Sequence, residues 1–301
     1  MTVKVLEMAE RMNYKPNYLA KSFRTGISQT IGVILADISN PFFAKLARFI
    51  EIEASKYGYV IIFSSSDEKK SKFASQLDIL KDRQVDGLIL TPPIGSEKQL
   101  NGLIEDEIPF VVLDRFFPEI NTSTVNINNY QAAYDATLRL IKNKRKKIAL
   151  LNTNNQLVSM QQRTKGYADA LENMGVTPDT SIIKHLKFSH EKRPIMKAIK
   201  EIVEQNADAV LFTTSKLGIT GIECIRELGL SIPNDLAIIS FDDTDAYRIS
   251  STTISAISQP LEKMSKEAVR ALISMIKKPN SEWEQKKIEL KVEYIPRDSC
   301  I

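Results

Sequence analysis

Polar and aromatic side chains recur in this chain just after short apolar runs. Asn40, Phe42 and Phe43 follow IGVILADI, Asp114 and Arg115 follow PFVVL, and Asp242 and Asp243 follow AIISF. Phe188 ends IIKHLKF, and Arg163 opens a helical pattern. Carboxylates and guanidinium groups make bidentate, charge-assisted bonds to neighbouring hydroxyls, and an aromatic face packs against the C–H surface of a sugar. The set reads as carbohydrate-binding chemistry, with one of the adjacent phenylalanines expected to serve core packing alone. Asp114 and Asp242 could also be paired as acid and base, but a sugar clamp explains them equally well. The chain carries no Gly-x-Gly-x-x-Gly, Walker loop, Gly-x-Ser-x-Gly or metal motif. We therefore expect no catalysis, no cofactor and no metal; His185 and His190 have no Cys or His partners at useful spacing.

The elements needed to position these residues alternate between strand and helix from residue 30 onward. IGVILADI (31–38) is a continuous apolar run, as in a strand buried on both faces. A helix from about Pro41 to Tyr57 follows, then YVIIFSSS, a helix through Phe73–Lys81, GLILTP, a helix around Lys98–Asp106, PFVVLDR and TVNIN (124–128). The scheme then repeats: Tyr130–Lys142 helix, KIALLN strand, Gln162–Met174 helix, IIKHLKF strand, Ile195–Gln205 helix, AVLFTT strand, Ile219–Leu228 helix, LAIISFDD strand. Such alternation predicts parallel sheets with helical crossovers, and two similar halves predict a cleft between two lobes. Ligands in such sheets bind at the carboxyl ends of the strands, where the polar residues lie. The tail reads as an amphipathic helix (261–278) and a single alternating strand, KKIELKVEYIP.

Length and composition set further bounds. A chain of 301 residues is sufficient for two domains, and 43% apolar with 26% charged residues is ordinary for a globular protein. The net charge is only +4, but residues 1–30 hold five basic side chains against two acidic ones, a local excess suited to phosphate contacts. No run of 18 apolar residues and no signal peptide can be read, so neither membrane nor export is expected. Cys224 and Cys300 read as free thiols of a cytoplasmic protein. The basic run KNKRKK (142–147) is expected to be solvated surface at a helix C-terminus.

The first 29 residues are of another kind. Met1, Val5, Met8 and Met12 form one apolar stripe on a short helix that needs a cover. In PNYLAKSFRTG (16–26), Asn17 can cap and Gly26 can stop a second helix of about two turns, well below the ~12–15 residues an isolated helix needs in water. The order of helix, mini-helix, strand and Asn-Pro-Phe-Phe, with the motifs DISNPFF, VVLDR, QRTKGY and SFDD, strongly resembles the lactose/galactose-repressor family of bacterial transcription regulators. The resemblance covers the whole chain except that the family's first two helices have no counterpart.

The resemblance implies two doubly wound, Rossmann-like α/β lobes of periplasmic-binding-protein type I architecture, preceded by a remnant helix-turn-helix helix and a hinge helix. It implies a remnant and hinge segment over 1–29, an N-terminal lobe of 30–127 plus 260–285, and a C-terminal lobe of 128–259 plus 286–301. Effector contacts fall on Asn40, Phe42, Asp114, Arg115, Arg163, Asp242 and Gln259. Where the family typically has Asn-Asp, this chain has Ser215-Lys216; with Arg115 and Arg163, that exchange predicts a net-positive pocket and an acidic sugar effector. In the hinge, Phe23 stands where the family inserts a leucine between base pairs, Ala20 permits close approach to the sugar edge, and Lys21 and Arg24 reach phosphates.

The partners implied are operator DNA, a small carbohydrate or acidic sugar effector, and a second copy of the chain. The dimer seam is expected on the helix bearing Phe43, Leu46, Ala47 and Ile50, and dimer is preferred to tetramer because nothing follows Ile301 to form a tetramerisation helix. The best reading is a sugar-responsive transcriptional regulator, with a repressor as the expected sign. The alternative is a sugar-binding protein without DNA binding, either a transport receptor or an effector sink. Lacking the family's reading head, the chain as it stands is expected to bind DNA poorly and without sequence preference.

Overall fold

The computed structural model describes residues 26–153, 156–187 and 191–301, together with Met8, Arg11 and Met12. The hinge positions Asn17, Ala20, Lys21, Phe23 and Arg24, and the cleft candidate Phe188, lie outside the described residues.

Two six-stranded sheets organise the chain. In the first, β1 (Thr30–Leu35) lies between β2 (Val60–Ser65) and β3 (Gly87–Leu90), and β4 (Phe110–Leu113), β5 (Ser123–Ile127) and β11 (Lys287–Leu290) continue beyond β3. All of its pairings are parallel. Helices α1 (Pro41–Ser55), α2 (Lys70–Asp82) and α3 (Glu97–Glu105) supply crossovers, and α9 (Leu261–Ile276) packs beside α1. Coverage on both faces is why β1, β3 and β4 are almost uniformly apolar and buried.

The second sheet repeats the arrangement. β6 (Ile148–Thr153) lies between β7 (Ile183–Leu186) and β8 (Ala209–Phe212), followed by β9 (Ala237–Phe241), β10 (Ser255–Ser258) and β12 (Glu293–Ile295). Its helices are α4 (Asn129–Lys142), α5 (Val158–Asn173), α6 (Arg193–Glu204), α7 (Ser215–Glu227) and the short α8 (Asp245–Arg248). Only β12 runs antiparallel to its neighbour. In both sheets the winding direction reverses beside the first strand, and crevices open at the carboxyl ends there. Gly166 allows α5 to lie directly on α4: a Cβ at this position would collide with the carbonyl oxygen of Tyr130.

Two expectations from the sequence need correction. KKIELKVEYIP is not one strand. It breaks after Leu290, so that β11 joins β5 of the first sheet and β12 joins β10 of the second. Residues 287–290 therefore belong with the first sheet rather than with the lobe assigned to 286–301. The apolar residues expected to form a dimer seam are also internal. Phe43, Leu46, Ala47 and Ile50 are at most 8% exposed, and Ser265 of α9 donates to the Leu46 carbonyl at 3.3 Å. The periodicity of α1 recorded packing against α9; the outward face of α1 carries Ala44, Arg48 and Ile52 instead.

Candidate functional site

The centre of the cleft is a matched pair of carboxylates. Asp114 follows β4 and Asp242 follows β9, the same place in each sheet. Both adopt left-handed backbone, with φ of 65° and 64°, which aspartate tolerates better than most residues. Each N–H donates at 2.9 Å to the next strand, Asp114 to Val125 and Asp242 to Ile257. That bond fixes the turn that brings each side chain to the cleft. The two carboxylates, with Asn40, Phe42, Phe43, Arg115, Arg163, Lys216 and Gln259, line one cavity of about 90 Å³ between the lobes.

Asn40 and Ser215 join the lobes behind that cavity. Asn40 caps α1, its Oδ1 accepting from the Phe42 N–H at 3.0 Å and from the Ser215 hydroxyl at 3.3 Å. Ser215 is fully buried, and its N–H donates to Asp242 Oδ2 at 3.3 Å. Gln259 Nε2 donates to Asp242 Oδ1 at 2.7 Å, while Gln259 Oε1 is buried with no hydrogen-bond partner. Ser215 thus stands behind the lining and positions Asn40 and Asp242, a correction to its expected role as a ligand contact. Tyr247, whose hydroxyl donates to the Ser215 carbonyl at 3.2 Å, supports it from beneath.

The two arginines are held rigidly. Arg163, 3% exposed, donates through Nε to Asn129 at 2.8 Å and through Nη1 to the Thr213 carbonyl, with its guanidinium 3.9 Å from the centre of the Phe241 ring. Arg115, 5% exposed, pairs with both carboxylate oxygens of Glu68 and donates to the Pro92 carbonyl at 2.8 Å. Phe42 and Phe43 meet edge to face, ring centres 4.9 Å apart. Both are buried in the core and both line the cavity, so neither is packing alone.

Acidic and basic side chains at the site are equal in number. The lining includes four basic side chains (Arg115, Lys187, Arg163, Lys216) and four acidic ones (Glu68, Asp114, Glu191, Asp242). Lys216 Nζ also lies 3.7 Å from Asp37 of the other lobe. Glu68 offsets Arg115 and Asp37 faces Lys216, so ion pairing counters the positive charge expected from Ser215-Lys216, except where burial keeps Asp114 or Asp242 neutral. Burial pushes the Asp114 carboxyl up to about 7, against the pull of Arg115 and Arg163 and with the help of Asp242. Burial also raises Asp242, opposed by Arg163 and Gln259, and lowers Arg163, opposed by Asp242 and Asp114. A pocket that holds two carboxylates opposite two fixed guanidinium groups can both donate to and accept from a polyhydroxylated ligand.

Asp243, which follows the same strand, turns away and forms a bidentate pair with Arg297 at 2.8 and 2.9 Å. Sequence reasoning missed Glu68, Asn129 and Asp37. Asn129, 4% exposed at the start of α4, is the side chain that orients Arg163; a polar residue following the apolar TVNI run was the available signal. No group of three or more His, Cys, Asp or Glu among the described residues could hold a metal ion, and no described helix is long and apolar enough to cross a membrane. Both cysteines are free and buried.

Residues 137–300 match a family model described as a periplasmic binding protein-like domain. Catabolite control protein A of Priestia megaterium is 31% identical over 278 residues, covering 91% of this chain and 83% of that protein. The ribose operon repressor of Haemophilus influenzae is 29% identical over 282 residues, covering 93% and 84%. Among solved structures, the transcription regulator CcpA of Lactococcus lactis superposes with a TM-score of 0.82 at 26% identity, over 90% of this chain and 99% of that one.

Proposed function

Because the chain belongs to the lactose/galactose-repressor family of transcription regulators, we propose that it is a sugar-responsive regulator with its effector in the interlobe cleft and operator DNA as its target. The observation that carries this reading is the pair of left-handed carboxylates, Asp114 and Asp242, facing one cavity from equivalent ends of two sheets. An effector that bridges them is held by both lobes at once. Its binding free energy is then available to favour one lobe orientation over another, the requirement for a ligand to shift a conformational equilibrium.

The neighbouring groups suit a sugar. Asp114, Asp242 and Gln259 accept from hydroxyls, Arg115 and Arg163 donate, and Phe42 offers an apolar face. The ribose operon repressor among the relatives supports a carbohydrate effector by its name. Lobe reorientation acts on DNA through the segment before β1, where Lys21, Phe23 and Arg24 are the DNA-contacting residues by register with the family, and a dimer brings two such segments together. The outward face of α1, with Arg48 and Ile52, is the surface we assign to the seam.

Isothermal titration with a panel of neutral sugars and sugar acids tests the cleft. One molecule bound per chain, with binding lost in Asp242→Asn while the fold is retained, is expected. Binding that survives Asp242→Asn would place the effector elsewhere.

A further inference from the structure

Side chains of the two lobes meet directly where the start of α1 faces α7 and α8. Ser215 donates to Asn40 at 3.3 Å, Lys45 Nζ lies 3.5 Å from Asp245, and Lys216 Nζ lies 3.7 Å from Asp37 Oδ2. Asp37, Asn40 and Lys45 belong to the segment that runs from the end of β1 into α1, whereas Ser215, Lys216 and Asp245 belong to α7 and α8. The two charge pairs differ in depth. The Lys45 and Asp245 side chains are well exposed, and an ion pair in such a setting contributes little. Asp37 is 4% exposed and the Lys216 side chain 24%, so their attraction is the better shielded of the two.

Each member of that pair stands where its charge is otherwise unfavourable. Oδ1 of Asp37 accepts from the N–H and the hydroxyl of Ser39 at 3.0 and 2.6 Å, but Oδ2 is buried and makes no hydrogen bond. Lys216 is the second residue of α7, where the positive end of the helix disfavours a cation. Burial of Lys216 pulls its pKa down, and Asp37 works against that pull. A charge pair at this separation is worth more in a shielded setting than in water. Parting the lobes would take Asp37 away from Lys216 and leave the cation against the helix end. The contact runs from protein to protein, with both partners fixed by their own lobes, so it favours joined lobes whatever ligand the cleft takes.

We propose that Lys216 is a built-in latch: its ion pair with Asp37 holds the lobes together before any effector binds, so that the chain presets its own closed state. The inference does not depend on the identity of the effector. An effector that selects joined lobes then meets a state already populated, and its apparent affinity is not lowered by a prior conformational step. Pulsed electron spin resonance distances in the protein without added ligand test it. Labels go on cysteines placed at the exposed positions Lys98 of α3 and Lys200 of α6, one in each lobe; the native Cys224 and Cys300 are buried. Lys216→Met should lower the ratio of short-distance to long-distance populations roughly threefold, the scale of a partly exposed ion pair. Lys216→Asp, which sets two carboxylates face to face, should lower it roughly tenfold. Adding Asp37→Asn to Lys216→Asp should return the ratio to that of Lys216→Met. Lys184→Met, which removes an ion pair with Glu201 inside one lobe, should leave the wild-type distribution unchanged. Unfolding midpoints close to wild type show that the variants fold, and Lys216→Met carries the test alone if Lys216→Asp does not. Wild-type distances in Lys216→Met, or an equal shift in Lys184→Met, would overturn the latch.

Discussion

Replacing Asp114 by asparagine keeps the shape of the side chain and removes its titration. In the folded protein this carboxyl stays protonated up to about pH 7, against an ordinary value of 3.8. Between those values the folded state binds more protons than the unfolded chain, so raising the pH through the window lowers stability. At 1.36 kcal/mol per decade of proton affinity, the ceiling is about 4 kcal/mol. Asp114 is only partly buried and water screens it, so we expect about 1–2 kcal/mol in practice. Urea denaturation of wild type and Asp114→Asn at half-unit intervals from pH 4 to pH 8 reads the effect. The two stabilities should lie closest near pH 4, and the variant should gain on wild type up to about pH 7 and then level off toward pH 8. A difference that is constant with pH would refute the reasoning, because it would mean that burial does not penalise the charged form.

Further outcomes follow from the same contacts. Sugar hydroxyls donate to the charged carboxylate, so wild-type affinity for a bound sugar should rise between pH 6 and pH 8 and stay flat in Asp114→Asn, as read by calorimetry in buffers of different ionisation enthalpy. Leu46→Ala should cost about 2–5 kcal/mol in denaturant unfolding, the usual range for a buried leucine, and Leu46→Glu should fail to fold rather than yield a folded monomer. Ile52→Glu, on the exposed face of α1, should keep the fold but shift the light-scattering mass to that of one chain; an unchanged mass would move the seam elsewhere. Gly166→Ala should lower stability by about 1–3 kcal/mol by forcing α4 and α5 apart, visible as a lower unfolding midpoint.

Much of this was legible in the residues. The apolar runs that became β1, β4, β6 and β9 are continuous because both faces of each sheet are covered, and polar residues fall where each run stops. The positions of Asp114 and Asp242 follow from that rule alone. Their left-handed backbone, and the bond each makes to the neighbouring strand, depend on pairings between segments that no local pattern records. Phe43, Leu46, Ala47 and Ile50 show how periodicity misleads: a helical stripe says that a face is covered, not what covers it, and α9 lies over 200 residues away in sequence. The ion pairs within the pocket were missed for the same reason. Arg115 and Lys216 are visible in the sequence, whereas Glu68 reaches Arg115 only once β2 and β4 share a sheet, and Asp37 reaches Lys216 only across the cleft. Tail strands 287–290 and 293–295 read as one because the alternation continues through Lys291 and Val292, although the hydrogen-bonding partner changes between them.

That change of partner bears on how the polypeptide acquires its shape during synthesis. Strand β11 supplies an outer strand of the first sheet and β12 an outer strand of the second, and α9, which roofs β3, β4 and β5, precedes them by only a short stretch. Neither sheet has all six strands until residues 287–295 have left the ribosome. The nascent protein therefore emerges as two unfinished halves, each with an uncovered sheet edge of the kind that invites wrong pairing. A single late segment of fewer than ten residues covers β5 in one sheet and β10 in the other, so the last strand of each lobe is laid down together rather than in order of translation.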